Sequence, residues 1–161
     1  MKFTKRATSE DDYGYAKGIH DLAYRDWTVA QFGPWDEKVQ GKFFDDSWNY
    51  HNYELLLLDG VPCGYCAVDY NEHVIRVLEL AVDPDFQGQG VGTSFFHDLI
   101  NRYHSESRSI RLNAFKVNTA AIDFYLGRGF VVIAENDLQL QFEWQGEDKN
   151  LANKVSYFNE H

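Results

Sequence analysis

The chain has 161 residues, 44% hydrophobic and 16% aromatic, with only 3 prolines, a composition that supports one packed core and excludes a disordered or linker-like protein. With 15 basic and 25 acidic residues the formal charge is −10, which excludes nucleic acid as a partner, because a phosphate backbone would meet net repulsion. No apolar run approaches the roughly 20 residues that cross a bilayer, and Met1-Lys2-Phe3-Thr4-Lys5-Arg6 leads into polar residues rather than a signal core, so no membrane association and a cytoplasmic location are expected.

In chain order, Phe3 to Ala7 reads as a short strand, and Ser9 followed by Asp12 is a capping-box variant that opens a helix toward Tyr24. The stretch Trp27-Thr28-Val29-Ala30-Gln31-Phe32-Gly33-Pro34-Trp35 reads as a break. A second amphipathic helix follows, carrying Val39, Phe43, Phe44 and Trp48. From Tyr53 the pattern changes to strands: Glu54 to Leu58, an Asp59-Gly60 turn, Val61 to Tyr70, an Asn71-Glu72 turn, then Val74 to Val82. Past Pro84, the apolar positions Val91, Phe95, Phe96, Leu99, Ile100 and Tyr103 recur at helical spacing.

Ile110, Leu112 and Ala114 alternate with Arg111, Asn113 and Phe115 as a strand, and Asn118 caps a helix that stops at Gly127. Phe130 to Ala134 and Leu138 to Trp144 form a closing hairpin, and 146–161 is a polar C-terminal extension. The order β-α-α-β-β-β-α-β-α-β-β predicts one α/β (α+β) domain over 1–161, a mixed, mostly antiparallel sheet of about seven strands with helices on both faces. A parallel β-α-β unit at its middle would admit a ligand at the strand ends.

Cys63 and Cys66 form a C-x-x-C, but on a strand residues three apart point to opposite faces, and neither a second such pair nor a histidine pair completes a zinc site. The histidines at 20, 51, 73, 97, 104 and 161 show no metal spacing. No metal is expected, and His20 is only a remote candidate base.

The most informative segment is Leu80-Ala81-Val82-Asp83-Pro84-Asp85-Phe86-Gln87-Gly88-Gln89-Gly90-Val91-Gly92-Thr93-Ser94, which joins a strand to a helix. Glycines at 88, 90 and 92 permit backbone conformations closed to side chains, and let N–H groups converge on an anion at a helix N-terminus. A pyrophosphate suits such a loop. The dinucleotide fingerprint G-x-G-x-x-G fails because Thr93 stands where its third glycine belongs, and the G-x-x-x-x-G-K-[ST] loop fails for want of its lysine.

Gln87-x-x-Gly90-x-Gly92 after Leu80-Ala81-Val82-Asp83-Pro84 resembles the coenzyme A pyrophosphate loop, Q/R-x-x-G-x-G/A, of the GNAT superfamily of N-acetyltransferases. Downstream, Asn118-Thr119-Ala120-Ala121-Ile122-Asp123-Phe124-Tyr125 and Gly129-Phe130 resemble the same superfamily's N-x-x-A-x-x-F/Y-Y and G-F block. The element order extends the likeness to nearly the whole length, with the N-terminal third matching in architecture only.

The resemblance implies an enzyme that uses acetyl coenzyme A as co-substrate. It would acetylate a primary amine, on a small molecule or a peptide, by direct attack in a ternary complex, as a monomer or homodimer. It places the pyrophosphate on the backbone of Gln87, Gly88, Gln89, Gly90, Val91, Gly92 and Thr93, and the pantetheine arm along Leu80, Ala81 and Val82, whose Leu80 and Val82 side chains are expected to face the helices. Asn118 and Ala121 would touch the coenzyme, although Asn118 equally reads as a plain helix cap.

Tyr125 matches the tyrosine that serves the family as general acid toward the departing thiolate. Glu79, the sole carboxylate in Val74 to Val82, is the candidate general base. Relatives often carry their acid one residue earlier, where this chain has Leu78, so either a bulge turns Glu79 inward or it is a solvated surface residue. Trp27, Phe32 and Trp35, interleaved with carboxylates, lie where relatives build the acceptor pocket, and aromatic faces suit an ammonium. A non-enzymatic acyl-coenzyme A sensor on the same fold is the alternative.

Overall fold

The structure, a computed structural model, describes residues 1–50, 52–103 and 108–145; the expected extension 146–161 lies outside them. Along the chain come β1 (Phe3–Ala7), α1 (Tyr13–Phe32), α2 (Glu37–Tyr50), β2 (Tyr53–Leu58), β3 (Val61–Tyr70), β4 (Val74–Val82), α3 (Val91–Tyr103), β5 (Ser109–Phe115), α4 (Thr119–Leu126), β6 (Phe130–Glu135) and β7 (Gln139–Trp144). This is a mixed α/β architecture of seven mostly antiparallel strands, as the element order predicts. The described residues form two compact units, one within 1–69 and 77–103 and the other within 70–76 and 108–145.

In the first unit the strands run in the order β1-β2-β3-β4. β1 pairs antiparallel with β2, and β2 with β3, with a register shift between Leu56 and Leu57. β2 is apolar on both sides, which is why Leu55, Leu56 and Leu58 are all buried. Ser9 starts the helical segment as its capping box requires: the Ser9 N–H donates to Asp12 Oδ2 at 2.9 Å. The Arg6 guanidinium grips both Asp12 oxygens, at 2.8 and 3.0 Å, and holds that carboxyl down at about 2.

On α1, Ala16 and Ile19 recur at helical spacing and join Phe44, Tyr53, Tyr65, Ala67 and Ala81 in one core cluster. A fully buried apolar ring there, such as Phe44, contributes about 2 kcal/mol by leaving water.

Two sequence expectations change here, in α1 and α2. α1 does not stop near Tyr24 but runs to Phe32. Thr28 and Val29 cost a helix only a few tenths of a kcal/mol each, so the end comes at Gly33, whose φ of 94° lies in the left-handed region and whose N–H donates to the Val29 carbonyl. On α2, Phe44 is buried and Trp48 packs on the core, while Val39 and Phe43 are 45% and 63% exposed. In β4 it is Ala81, not Leu80 or Val82, that packs with the α1 and α2 residues.

In the second unit β5, β7 and β6 lie in that order, β7 pairing antiparallel with both neighbours. The β6–β7 turn is built by Asn136, whose side-chain oxygen accepts from the N–H groups of Leu138 and Gln139. Ile110, Leu112, Leu126, Phe130, Leu140 and Phe142 are buried in it.

Candidate active site

Period-2 alternation decides where Glu79 points. In β4, Ile75, Val77 and Ala81 are buried and Leu78 is 42% exposed, so the odd-numbered positions face inward and Glu79 shares the Ala81 face. Its Oε2 accepts a hydrogen bond from Tyr53 Oη, and Tyr53 Oη lies 2.6 Å from Ser47 Oγ. Glu79 is therefore half-buried and hydrogen-bonded rather than a solvated surface carboxylate. Burial, reinforced by the Glu79 charge, pushes the Tyr53 phenol far above its ordinary value. One residue on, the Leu80 carbonyl accepts from Tyr24 Oη at 3.3 Å.

β4 ends in a clasp centred on Asp83. Its N–H donates to the Cys63 carbonyl at 2.9 Å, its Oδ1 accepts from the Asp85 N–H at 2.9 Å, and its Oδ2 accepts from Tyr15 Oη at 3.0 Å. A 3-10 turn, Pro84–Phe86, follows. The N–H groups of Gln87 and Gln89 donate back to Pro84 and Phe86, both at 3.3 Å. Gly88 and Gly90 sit at φ 79° and 80°, which L side chains rarely adopt. The Ser94 N–H donates to the Gly90 carbonyl at 2.9 Å, closing the first turn of α3. The Gln87 and Gln89 amides are thus used within the turn, which leaves those of Gly88, Gly90, Val91 and Gly92 as the donors at the mouth of the helix.

In the second unit, Asn118 caps α4: its Oδ1 accepts from the Ala121 N–H at 3.3 Å. Tyr125, near the end of α4, packs edge-on against Phe124 and Phe130, each at 5.8 Å between ring centres, and tilts against Phe142 at 5.6 Å. These surroundings exclude enough water to push its phenol up to about 12.

The other sequence candidates fall as follows. Trp27 packs edge-on against Tyr24 at 5.2 Å. Phe32 is 59% exposed at the end of α1. Trp35 lies under the Arg25 guanidinium at 5.3 Å, and its Nε1–H donates to Glu37 at 3.0 Å. The bonds that hold Glu79 run through Tyr53 and Ser47, not through these three. His20 Nδ1 lies 3.1 Å from Asp21. Cys63 and Cys66 are buried free thiols, pushed up to about 11 and about 12 by burial, so neither supplies a thiolate near neutral pH. Among the described residues no group of three or more His, Cys, Asp or Glu could hold a metal ion, and no helix is long and apolar enough to cross a membrane.

The model of the acetyltransferase (GNAT) family matches residues 17–130, and the chain belongs to that family. A curated relative, "Uncharacterized N-acetyltransferase MJ1207" of Methanocaldococcus jannaschii, is 35% identical over 141 residues. That match takes in 80% of this chain and 60% of the relative, so the chain spans well under two thirds of the relative's length. Among solved structures, the PaiA N-acetyltransferase of Thermoplasma acidophilum, in complex with coenzyme A, superposes with a TM-score of 0.70 at 16% identity, covering 90% of this chain and 99% of that one. YncA of Salmonella typhimurium, described as a putative acetyltransferase with its cofactor acetyl-CoA, gives 0.58 at 17% identity, covering 92% and 95%. At such identities the two structures show the shared fold.

Sequence reasoning passed over Tyr53, Ser47 and Tyr15. Tyr53 opens β2, and Ser47 lies on α2. Their one shared signal is that each carries a hydroxyl at an apolar or half-buried position, where a buried polar atom needs a partner.

Proposed function

We propose that this chain is a single-domain N-acetyltransferase that passes the acetyl group of acetyl coenzyme A to a primary amine by direct attack. The observation that carries the reading is the loop after β4, where two glycines at positive φ turn the chain into α3 with the amides of Gly88, Gly90, Val91 and Gly92 at the helix mouth. Oriented amides and a helix terminus attract a diphosphate without net positive charge, which reconciles a polyanionic ligand with a chain of charge −10. That two solved relatives of the same fold hold coenzyme A and acetyl-CoA supports the assignment.

The pantetheine arm then runs along Leu80 to Val82, where a backbone N–H polarises the thioester carbonyl. The acceptor arrives as an ammonium, with a pKa of about 10.4 for a lysine-like amine, and gives its proton to Glu79. The free nitrogen attacks the thioester carbon, the nitrogen of the tetrahedral intermediate gives up its second proton to water as the intermediate collapses, and the C–S bond breaks with its electrons going to sulfur. A phenol at about 12 is a weaker acid than a thiol at about 8.5. Tyr125 therefore acts by donating a hydrogen bond to the departing sulfur, and the thiolate collects its proton as it is released to water. Cys63 and Cys66 are too weakly acidic to carry the acetyl group as a thioester.

The test is thiol release from acetyl coenzyme A in a screen of amines: a diamine, an aminoglycoside, an amino acid and a peptide with a free N-terminus. Release with one or more supports the enzyme; binding by calorimetry without release from any of them supports a sensor instead. Two variants probe the parts. Gly90→Ala places a side chain at φ 80°, which costs about 1 kcal/mol, while an added Cβ meets nothing within 4 Å. Because that strain is present with or without ligand, we expect it as a thermal midpoint lower by about 2–4 °C, with acetyl coenzyme A affinity, read by calorimetry, little changed; a loss of about fivefold or more in affinity would show that the loop relaxes out of its binding shape. Tyr125→Phe removes a hydrogen bond to a forming charge, worth about 1.5–3 kcal/mol. Turnover should fall roughly 10- to 100-fold with coenzyme affinity unchanged; unchanged turnover removes Tyr125 from the mechanism.

A further inference from the structure

Behind Glu79 stands a hydrogen-bonded chain that this mechanism leaves unused. Tyr53 Oη donates its single proton to Glu79 Oε2. A phenol has one proton, so the 2.6 Å contact between Ser47 Oγ and Tyr53 Oη has Ser47 as its donor. The chain thus has a direction, from Ser47 on α2 through Tyr53 on β2 to Glu79 on β4. With Glu79 ionised, every donor of the chain points toward the carboxylate.

The middle member is held firmly. Tyr53 is 4% exposed, and its ring lies 4.9 Å from Trp48, 5.4 Å from Tyr65 and 6.2 Å from Phe44, centre to centre. Packing alone would have been met by phenylalanine. The hydroxyl is instead committed at both ends, and it links three elements of one unit through a single oxygen.

We infer that Tyr53, steadied by Ser47, is a positioning residue: by holding Oε2 it fixes the Glu79 carboxylate so that Oε1 receives the proton of the acceptor ammonium. The inference rests on the reading of Glu79 as general base. Geometry of this kind matters because a base acts only within hydrogen-bond reach of the proton it takes, and loss of alignment is felt in the rate rather than in coenzyme binding.

The experiment is a double-mutant cycle on kcat, using whichever amine of the screen gives the fastest thiol release. Tyr53→Phe keeps the ring and deletes the hydroxyl. We expect kcat at pH 7 to fall about tenfold, with the KM for acetyl coenzyme A and the thermal midpoint little changed. The loss should vanish in the Glu79→Gln background, and it should fade near pH 10, where about 30% of a lysine-like amine is deprotonated without help. A packing defect would persist in both settings. Ser47→Ala tests the far end of the chain and should show a smaller loss, erased in the same background; it decides the matter should Tyr53→Phe fail to fold. An unchanged kcat in Tyr53→Phe beside a large loss in Glu79→Gln overturns the positioning role alone, as does a loss that survives in the Glu79→Gln background. An unchanged kcat in Glu79→Gln overturns the general base itself.

Discussion

Glu79→Gln is expected to lower kcat by about 10²–10⁴-fold at pH 7, the range for removing a general base, while acetyl coenzyme A binds as before. At that pH only about one lysine-like amine in 2,500 is free base, so an acceptor that must deprotonate in bulk water arrives unreactive. Glutamine keeps an oxygen at the place where Tyr53 donates, and the side chain is nearly isosteric, so the fold should survive. The diagnostic is pH. The variant's rate should climb about tenfold per unit from pH 7 toward 10 as the acceptor ionises unaided, and the gap from the parent protein should narrow accordingly. Thiol release followed across that range checks it, and a variant that stays equally slow at every pH would mean that Glu79 does something other than take the proton.

Gly64→Ala should damage the fold more than any other small change considered. Gly64 lies in β3 opposite Leu56 of β2, and on its other side a Cβ would meet the Ala81 carbonyl oxygen at 2.3 Å and the Val82 Cα at 3.2 Å. Those are backbone atoms with strands on either side, so no side chain can swing away to make room. Overpacking of this kind costs about 3 kcal/mol, which for a chain of this length lowers the thermal midpoint by about 6–12 °C. The strain falls on Ala81 and Val82, part of the edge proposed for the pantetheine arm, so turnover should fall in the protein that still folds. Circular dichroism melts and thiol release read the two effects. A midpoint within about 2 °C of the parent would show that β3 and β4 can part without penalty.

How far the sequence could be read depended on how local each signal was. The hairpins were legible because Asp59-Gly60 and Asn71-Glu72 sit between apolar runs, and β2, β3 and β4 fall where those turns place them. The cap of α4 was legible too, since Asn118 and its partner Ala121 are three residues apart. The length of α1 was not, because Thr28 and Val29 weaken a helix on paper, and their actual context, with Thr28 buried, is tertiary. On α2 the neighbours Phe43 and Phe44 point in different directions, and a pattern of apolar letters does not say which one meets the core. Glu79 could be singled out as the lone carboxylate of its strand, but the hydrogen bond that holds it comes from Tyr53, 26 residues earlier. No window on the sequence contains both.

The clasp at Asp83 ties the glycine loop to α1 through Tyr15 and to β3 through the Cys63 carbonyl. A loop anchored on both sides keeps its shape before any ligand arrives, so the conformational entropy of ordering it was settled when the chain folded. Association with a diphosphate then loses mainly the freedom of the ligand itself, which is the thermodynamic advantage of preorganisation. On the proposed reading of the loop, Tyr15, remote in sequence from the glycines, would help set how tightly they hold a diphosphate.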